Sequence, residues 1–458
     1  MKYRSTRGRV TGIRFKQAVM MGLATDGGLL VPHNIPDVSN KLAAWTGLSF
    51  EALATQIMSH YIDDIPAEDL AALVKKSYAR FDHEKVTPIV SVGDFYVLEL
   101  FHGPTLAFKD VALQFLGNVF EYILHEKNEN LNILGATSGD TGSAAIEAVR
   151  GKSNINIFIL FPQGKTSPIQ EMQMTTVLDA NVLNIAVEGS FDDCQMLMKD
   201  IFSDLEFKSE YKLGAVNSVN WARVLAQIVY YFYAWYQLDK PAAFDVAVPT
   251  GNFGNIFAAY LARQMGLPIN KLILATNSND ILVRFFRTGI YQRGEVCFSE
   301  SPAMDIQVSS NFERYLYYKL GGSCAKVTEF MAGFIDSGVA RLDFNTREFD
   351  ETFLTGSVSD VETLHTIRQI YEEHNYLVDP HTAVGIRVGR QQRTAGIPLL
   401  CLSTAHPAKF EDAISRALPA IEPHHPRLQV LTDLPTKKEN MAADVSLVKD
   451  FIRRHAAV

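Results

Sequence analysis

A lysine in an apolar stretch is the residue of this sequence best suited to covalent chemistry. Lys109 ends the run Leu-Ala-Phe-Lys within residues 102–110 (HGPTLAFKD), and an apolar segment, residues 111–119, follows it. Apolar packing disfavours the ammonium form and lowers the pKa of a lysine, as a Schiff-base amine requires. Alternatively, the side chain packs on apolar residues while its amine reaches solvent. The segment by itself fits both interpretations.

Two glycine-containing loops could bind anions, and the first is residues 250–255 (TGNFGN). It lies between an apolar run, residues 244–248, and a helical pattern, residues 255–265. Glycines let the backbone approach an anion, and amides at a helix start point toward it, so this loop is a candidate phosphate site. The loop has no Lys or Arg, which excludes a Walker-type site. A plain tight turn fits these residues equally well.

The second loop, residues 136–143 (ATSGDTGS), has the same setting between a strand and a helix and is rich in hydroxyls. Its amides and hydroxyls could bind a carboxylate. Its Ser, Thr and Asp could instead cap the following helix, residues 143–150. The presence of two such loops in one chain favours a binding role for both.

These candidates belong to a repeating pattern of apolar strands, turns and helices. The strands are predicted at residues 95–101, 132–134, 155–161, 181–187, 244–248, 272–275 and 398–402. Strands that are apolar on both faces and alternate with helices indicate an α/β fold with parallel sheets covered by helices. Ligands in such folds bind beyond the carboxyl ends of the strands, where these loops lie.

Composition narrows the class of protein. The 458 residues are 47 % hydrophobic and 21 % charged with a net charge of −8, which is typical of a soluble protein without general affinity for nucleic acid or membranes. The start of the sequence lacks the apolar stretch of a signal peptide, and the most apolar run, residues 224–236, is too short to span a bilayer. Four scattered cysteines predict neither disulfides nor a metal site. A cytoplasmic protein is expected.

The lysine segment and the two loops together resemble the pyridoxal-phosphate enzymes of the tryptophan synthase β fold type (fold type II). Within that group the chain resembles the threonine synthase family in its longer bacterial and fungal form. Further blocks of resemblance occur in order at residues 16–32, 217–227, 301–314, 379–385 and 402–410. The resemblance therefore covers almost the whole chain.

The resemblance implies a role for each segment. Lys109 would bear pyridoxal phosphate and move protons, Thr404 would meet the pyridine nitrogen, and Asp140 would lie close to the 3′ oxygen. The first loop would hold the cofactor phosphate through Gly251, Asn252, Phe253, Gly254 and Asn255. The second loop would bind the substrate carboxylate through Thr137, Ser138, Gly139 and Thr141.

The leaving phosphate of the substrate needs cationic or polar partners. The candidates are Arg223, Arg314, Lys409 and the polar cluster of Ser309, Ser310 and Asn311, with His102, His381 and His406 as secondary ones. The arginines could instead belong to ordinary surface ion pairs, and the histidines could be structural.

The implied reaction converts O-phospho-L-homoserine and water into L-threonine and phosphate by γ-elimination and addition of water at Cβ. It is the last step of threonine biosynthesis, and the enzyme is expected to be a monomer or homodimer. A phospholyase that releases 2-oxobutanoate, ammonia and phosphate is the alternative. A non-catalytic binding protein is disfavoured because Lys109 and both loops are retained. A hydrolase is disfavoured because the sequence around Ser138 lacks the GxSxG spacing.

Three domains are predicted along the chain. Residues 50–60 and 67–78 show amphipathic helical patterns, so residues 1–85 are expected to form a mostly helical N-terminal domain. Residues 86–110 and 215–458 are expected to form a large cofactor-binding domain. Residues 111–214 are expected to form a small domain that carries the substrate-carboxylate loop.

Overall fold

The computed structural model describes residues 1–137, 139–343 and 350–457. Its strands are β1 (Tyr3–Ser5), β2 (Thr11–Ile13), β3 (Leu30–Pro32), β4 (Ile89–Val92), β5 (Phe95–Glu99), β6 (Leu131–Ala136), β7 (Ile155–Pro162), β8 (Val182–Glu188), β9 (Leu213–Gly214), β10 (Phe244–Pro249), β11 (Ile269–Thr276), β12 (Ile290–Gln292), β13 (Val339–Arg341), β14 (Phe353–Ser357), β15 (Leu399–Ser403) and β16 (Glu439–Ala442).

The α-helices are α1 (Phe15–Met21), α2 (Phe50–Ser59), α3 (Ala67–Tyr78), α4 (Lys109–Lys127), α5 (Asp140–Val149), α6 (Pro168–Thr175), α7 (Phe191–Ser203), α8 (Leu205–Glu210), α9 (Trp221–Gln237), α10 (Gly254–Gln264), α11 (Ile281–Thr288), α12 (Phe312–Lys319), α13 (Cys324–Ser337), α14 (Asp360–His374), α15 (Pro380–Gln392), α16 (Glu411–Ala417), α17 (Pro426–Gln429) and α18 (Val445–His455). Short 3₁₀ helices occur at Ser39–Trp45, Pro302–Met304, Pro407–Lys409 and Val430–Asp433. Within the described ranges, none of the helices has both the length and the apolar character needed to cross a lipid bilayer.

The larger sheet has six strands in the order β14-β11-β10-β15-β5-β4. All neighbours run parallel except β4, which pairs antiparallel with β5 at the edge. The central strands are buried because helices cover them; Ala247 and Cys401, for example, share a core with Ile386 and Val388 of α15. The predicted α/β fold with parallel sheets is thereby confirmed.

A second sheet has five parallel strands in the order β16-β8-β7-β6-β9. Its apolar residues pack with those of α7 and α18; Phe158 and Ile185, for example, share a core with Leu197 and Ile452. This sheet carries the loop that begins after β6, because that strand ends at Ala136.

The contacts of the chain divide it into two units, and each unit is assembled from three segments. The first comprises Met1–Val74, Phe81–His102 and Ser218–Pro423. The second comprises Lys75–Arg80, Gly103–Asn217 and His424–Val458.

This division differs from the expected domains. The N-terminal segment joins the first unit, and residues 103–110 and the C-terminal segment belong to the second. The C-terminal segment does so because β16 pairs with β8 and α18 packs against the same sheet. A four-residue strand near the end of a chain gives no pattern that would reveal its partner.

The first 85 residues also contain strands that the helical prediction omitted. Strands β1, β2 and β3 form a small antiparallel sheet in which β1 lies at the centre. Each has only three residues, which is too short for an alternating pattern to show in the sequence.

Candidate active site

Lys109 is the first residue of α4, and its side chain is buried. The residue is 9 % exposed, so the alternative of an amine extended into solvent does not apply. Its Nζ lies 3.3 Å from Oδ2 of Asp140, also a buried residue. The start of a helix carries partial positive charge, so Asp140 supplies the negative charge that a protonated amine needs there.

The segment before Lys109 is held by Asp110, which sequence reasoning did not single out. Its carboxylate accepts hydrogen bonds from the backbone amide and the hydroxyl of Thr105, both at 2.8 Å. A Cβ at Gly103 would lie 2.4 Å from Cβ of Asp110, so only glycine allows this approach. The sequence signal that could have identified Asp110 is an acidic residue directly after a lysine at the start of an apolar helix. A carboxylate in the first turn of a helix also interacts favourably with the helix dipole.

The loop between β6 and α5 is closed by Thr137. Its hydroxyl donates to Gly139 O at 3.0 Å and accepts from the amides of Gly139 and Gly142 at 3.1 and 3.0 Å. Its own amide donates to Leu160 O. The Thr137 hydroxyl thus bridges Gly139 and Gly142 and shapes the start of α5, and its contact with a substrate carboxylate stays a prediction. Ser138, assigned to the same carboxylate, lies outside the described residues.

Residues 251–255 form the turn from β10 into α10 and are shaped by close contacts. Phe253 has φ of +61°, a left-handed conformation that is rare for a residue with a side chain. Its ring packs against Phe312 and Tyr315, with ring centroids 5.5 Å apart in both pairs. A Cβ at Gly251 would lie 2.9 Å from the carbonyl oxygen of Ala303. No side-chain hydrogen bond caps α10 at Phe253. The backbone amides at a helix start of this kind can bind an anion.

A polar segment of three residues holds this turn from outside. Ser309 Oγ donates to Gly251 O at 2.8 Å, and Ser310 Oγ donates to Asn252 Oδ1 at 3.1 Å. Asn311 Nδ2 donates to Asn252 O at 3.0 Å. The side chains of Ser310 and Asn311, expected at the leaving phosphate, are therefore bonded to the turn.

Arg314 is buried and also faces protein groups. Its Nε donates to Leu30 O at 3.0 Å, Nη1 to Asn311 Oδ1 at 2.5 Å and Nη2 to Val219 O at 2.5 Å. Burial lowers its pKa to about 9. The surface ion pair considered for Arg314 is therefore excluded, and its guanidinium holds Asn311 and two backbone carbonyls.

Arg223 has the opposite surroundings. It lies on α9 and is fully buried, and burial alone lowers its pKa to about 10. Its Nε and Nη1 have no hydrogen-bond partner among the described residues. An uncompensated buried guanidinium is costly unless an anion binds to it. The surface ion pair considered for Arg223 is therefore excluded.

Two tyrosines of α9 contact the start of α10. Tyr230 and Tyr231 each donate to Oδ1 of Asn255 at 2.5 Å. Because both phenols take this oxygen, the amide nitrogen of Asn255 points the other way, and it is buried without a partner among the described residues. An orphaned donor at an uncapped helix start fits a phosphate.

Thr404 follows β15 and is held by its neighbours. Its amide donates to Thr382 Oγ1 at 3.2 Å, and the Thr382 hydroxyl donates to the buried carboxylate of Asp379. His381 lies beside them, with Nδ1 2.9 Å from Asp379 Oδ1, and its Nε2 accepts from the Ala303 amide at 3.1 Å. Both of its ring nitrogens are thus used in structure.

The other two histidines have similar surroundings. His102 lies between two carboxylates, with Nε2 2.8 Å from Glu99 Oε2 and Nδ1 3.2 Å from Asp82 Oδ1. His406 accepts from the Ala408 amide through Nδ1 at 3.2 Å and caps a short 3₁₀ helix. These contacts favour structural roles for both.

Each of the two units has groups of the kinds that pyridoxal phosphate needs. The cofactor needs an amine for its aldehyde, donors for its phosphate and a partner for its ring nitrogen. Lys109 offers the buried amine, and the turn at residues 251–255 offers a helix start with the orphaned Nδ2 of Asn255. Thr404 offers a hydroxyl at a buried strand end.

Comparison with known proteins gives the same result along the whole chain. Family models match in three parts: "Threonine synthase N terminus" at residues 2–78, "Pyridoxal-phosphate dependent enzyme" at residues 81–332 and "Threonine synthase, C-terminal" at residues 382–452. The chain is 47 % identical to a threonine synthase from Schizosaccharomyces pombe, over 94 % of this chain and 92 % of that one. It is 46 % identical to a threonine synthase from Methylobacillus glycogenes, over 99 % and 100 % of the two chains.

Among solved structures, the chain is similar to the pyridoxal-phosphate-bound threonine synthase from Brucella melitensis. The TM-score is 0.97 at 43 % identity, and each chain is covered completely. Matches at this identity and coverage extend the likeness beyond the fold to the family. The chain therefore belongs to the threonine synthase family of pyridoxal-phosphate-dependent enzymes.

Proposed function

We propose that Lys109 bears pyridoxal phosphate in this chain and that the protein converts O-phospho-L-homoserine and water into L-threonine and phosphate. The observation that carries the proposal is the buried amine of Lys109, 3.3 Å from Asp140, at the start of α4 in a chain of this family.

Pyridoxal phosphate supplies the electron sink that makes the substrate's Cα–H and Cβ–H bonds acidic. The chain's task is to bind and orient it. The backbone of Gly251, Asn252, Phe253 and Gly254 and the side-chain amide of Asn255 would hold its phosphate. A hydroxyl at Thr404, unlike a carboxylate, would leave the pyridine nitrogen largely unprotonated, which suits elimination and replacement more than transamination.

Lys109 Nζ is the proposed carrier of protons. It would take the proton from Cα and give it up before it takes a second proton from Cβ, as phosphate leaves Cγ. The Cβ proton would then go to Cγ, water would add at Cβ, and a proton would return to Cα while the proton of water goes to phosphate. One amine can serve both as acid and as base only if it exchanges its proton near the working pH. Asp140 beside Nζ would hold the protonated form in place between these transfers.

The substrate has two anionic groups to bind. We assign the carboxylate to the start of α5, where Gly139 is the N-cap and Thr141 lies in the first turn, together with Ser138. We assign the leaving phosphate to Arg223, because its guanidinium is buried without a counter-ion among the described residues. Asn311 and Arg314 would position the turn at residues 251–255.

The first test is spectroscopic. The purified protein should show a visible absorption band, and borohydride should fix the cofactor onto Lys109, which peptide mapping would reveal. Lys109→Ala should retain the fold but lose at least about a thousandfold in turnover, because the covalent anchor and the proton carrier disappear together. Lys127→Ala is the matched control, since Lys127 is an exposed lysine on the same helix.

The second test identifies the products. Threonine and phosphate should form in equal amounts from O-phospho-L-homoserine, and homoserine should not react, because hydroxide is a poor leaving group. Release of 2-oxobutanoate and ammonia as the main products would instead identify a phospholyase. A label on a lysine other than Lys109 would contradict the assignment of the site.

We further propose that the enzyme is cytoplasmic and acts as a monomer or homodimer on a small molecule. All four cysteines are free thiols, which fits a reducing compartment. Light scattering on the purified holoenzyme would give the mass of the assembly, and a mass above that of a dimer would contradict this part of the proposal.

A further inference from the structure

The two oxygens of the Asp140 carboxylate have different partners. Oδ2 lies 3.3 Å from Lys109 Nζ, whereas Oδ1 accepts a hydrogen bond from Gln170 Nε2 at 2.9 Å. Gln170 is buried in the first turn of α6. A glutamine thus donates to the oxygen of Asp140 that does not face the lysine.

The orientation of the Gln170 amide is itself determined. Ser167, the N-cap of α6, donates from Oγ to Gln170 Oε1 at 3.1 Å. With its oxygen facing a hydroxyl donor, the amide must turn its NH₂ group toward Asp140. The hydrogen bonds therefore run in one direction, from Ser167 through Gln170 to Asp140.

The loop before α5 leaves room for this side chain. A Cβ at Gly139 would lie 2.7 Å from Gln170 Oε1 and 2.9 Å from its Cδ. Any other residue at position 139 would push the amide away from Asp140. Gly139, which is expected to bind the substrate carboxylate, is therefore also required so that the side chain of Gln170 fits beside the loop.

We infer that Gln170 is a positioning residue, which fixes the Asp140 carboxylate against the amine of Lys109. This inference rests on the proposed role of Lys109 and adds to it. The amide stabilises the ionised carboxylate and prevents its rotation, so that one oxygen always faces Nζ. Without the amide, Oδ1 of Asp140 would lose one donor, and the carboxylate would take up a proton more easily.

Three further carboxylates on these helices have partners of their own. Asp110 on α4 binds Thr105. Glu147 on α5 pairs with Arg80 at 2.7 Å, and Glu171 on α6 pairs with Lys438 at 2.5 Å. Asp140 is thus the carboxylate that lies against Nζ of Lys109, and the amide of Gln170 orients it.

The test compares Gln170→Leu with the wild-type holoenzyme. Loss of one hydrogen bond to a charged group predicts a fall in kcat of about 10- to 100-fold, with KM for O-phospho-L-homoserine within about threefold. The acid limb of the kcat–pH profile should move to higher pH, because a carboxylate that loses a donor is protonated more easily. Ser167→Ala should shift kcat and the profile in the same direction by a smaller amount, since the amide remains but is less well oriented.

Glu171→Gln is the control, because it lies next to Gln170 on the same helix and pairs with a surface lysine; it should leave kcat and the profile unchanged. A rise in KM with unchanged kcat and profile in Gln170→Leu would overturn the inference and identify a contact with substrate. Wild-type behaviour of Gln170→Leu would overturn it as well. If Gln170→Leu fails to fold, Ser167→Ala decides by the same two measurements. Failure of the wild-type enzyme to form threonine would instead count against the proposed function.

Discussion

The hydrogen-bond partners of a buried arginine determine whether it can bind an anion, and Arg223 and Arg314 differ in this respect. Arg223 and Arg314 both lie in blocks that resemble the family, and the sequence gives no reason to separate them. In the structure every nitrogen type of Arg314 donates to a protein oxygen, whereas two nitrogens of Arg223 have no partner among the described residues. An arginine that holds protein oxygens and an arginine that binds a substrate anion look the same in a sequence. Only their three-dimensional surroundings distinguish them.

Replacement of these arginines should therefore have opposite effects. Arg223→Met should leave the melting temperature of the substrate-free holoenzyme unchanged or raise it, because an uncompensated buried charge is removed. It should raise KM for O-phospho-L-homoserine by about 10- to 100-fold, the range for one hydrogen bond to a charged group. Arg314→Met, the matched control, should lower the melting temperature, because three buried acceptors lose their donor. Calorimetry and steady-state kinetics would check both, and equal destabilisation with unchanged KM would contradict the assignment.

At the scale of elements, the sequence predicted most of the helices and strands that position the candidate site. Helix α3 has the bounds expected from its pattern, and β7 differs by one residue, because long periodic or continuous apolar segments are little affected by their context. Helix α4 begins at Lys109, two residues before the expected apolar segment. That extension depends on the hydrogen bonds between Asp110 and Thr105, which no periodicity reports.

The turn from β10 into α10 offers a test at this scale. Gly251→Ala should raise the dissociation constant for pyridoxal phosphate by about tenfold or more, because overpacking by one methyl group costs about 1–3 kcal/mol against a backbone carbonyl that cannot move aside. The control is Gly333→Ala in α13, where a Cβ would meet only Val339 O at 3.7 Å. Cofactor titration followed by absorbance would measure both. An unchanged affinity with reduced stability would mean that the turn is structural only.

At the scale of the whole molecule, the sequence predicted the fold class but not the division of the chain. Strand β16 and helix α18 complete the second sheet, although β16 begins 251 positions after Glu188, the last residue of its partner strand β8. Pairings over such distances leave no local pattern. The unit that contains Lys109 thus depends on the C-terminal segment.

A substitution in α18 should therefore reduce the stability of this unit. Ile452 is fully buried, so Ile452→Ala should lower the free energy of unfolding by about 2–5 kcal/mol. Leu447→Ala on the same helix is the control, since Leu447 is 46 % exposed and should cost little. Urea unfolding followed by fluorescence and by the cofactor band would measure both. Equal effects of the two substitutions would contradict the packing described for α18.

The interleaving of segments also has a consequence during synthesis on the ribosome. Neither unit can be complete when its first segments emerge, because the first needs residues up to Pro423 and the second needs residues from His424 onward. In the sheet formed by β6 to β8, strand β8 therefore lacks its partner strand until β16 has been translated. Nascent chains with such edges are prone to misassociation, so slow translation of the last hundred codons should reduce the yield of native enzyme in cells lacking chaperones.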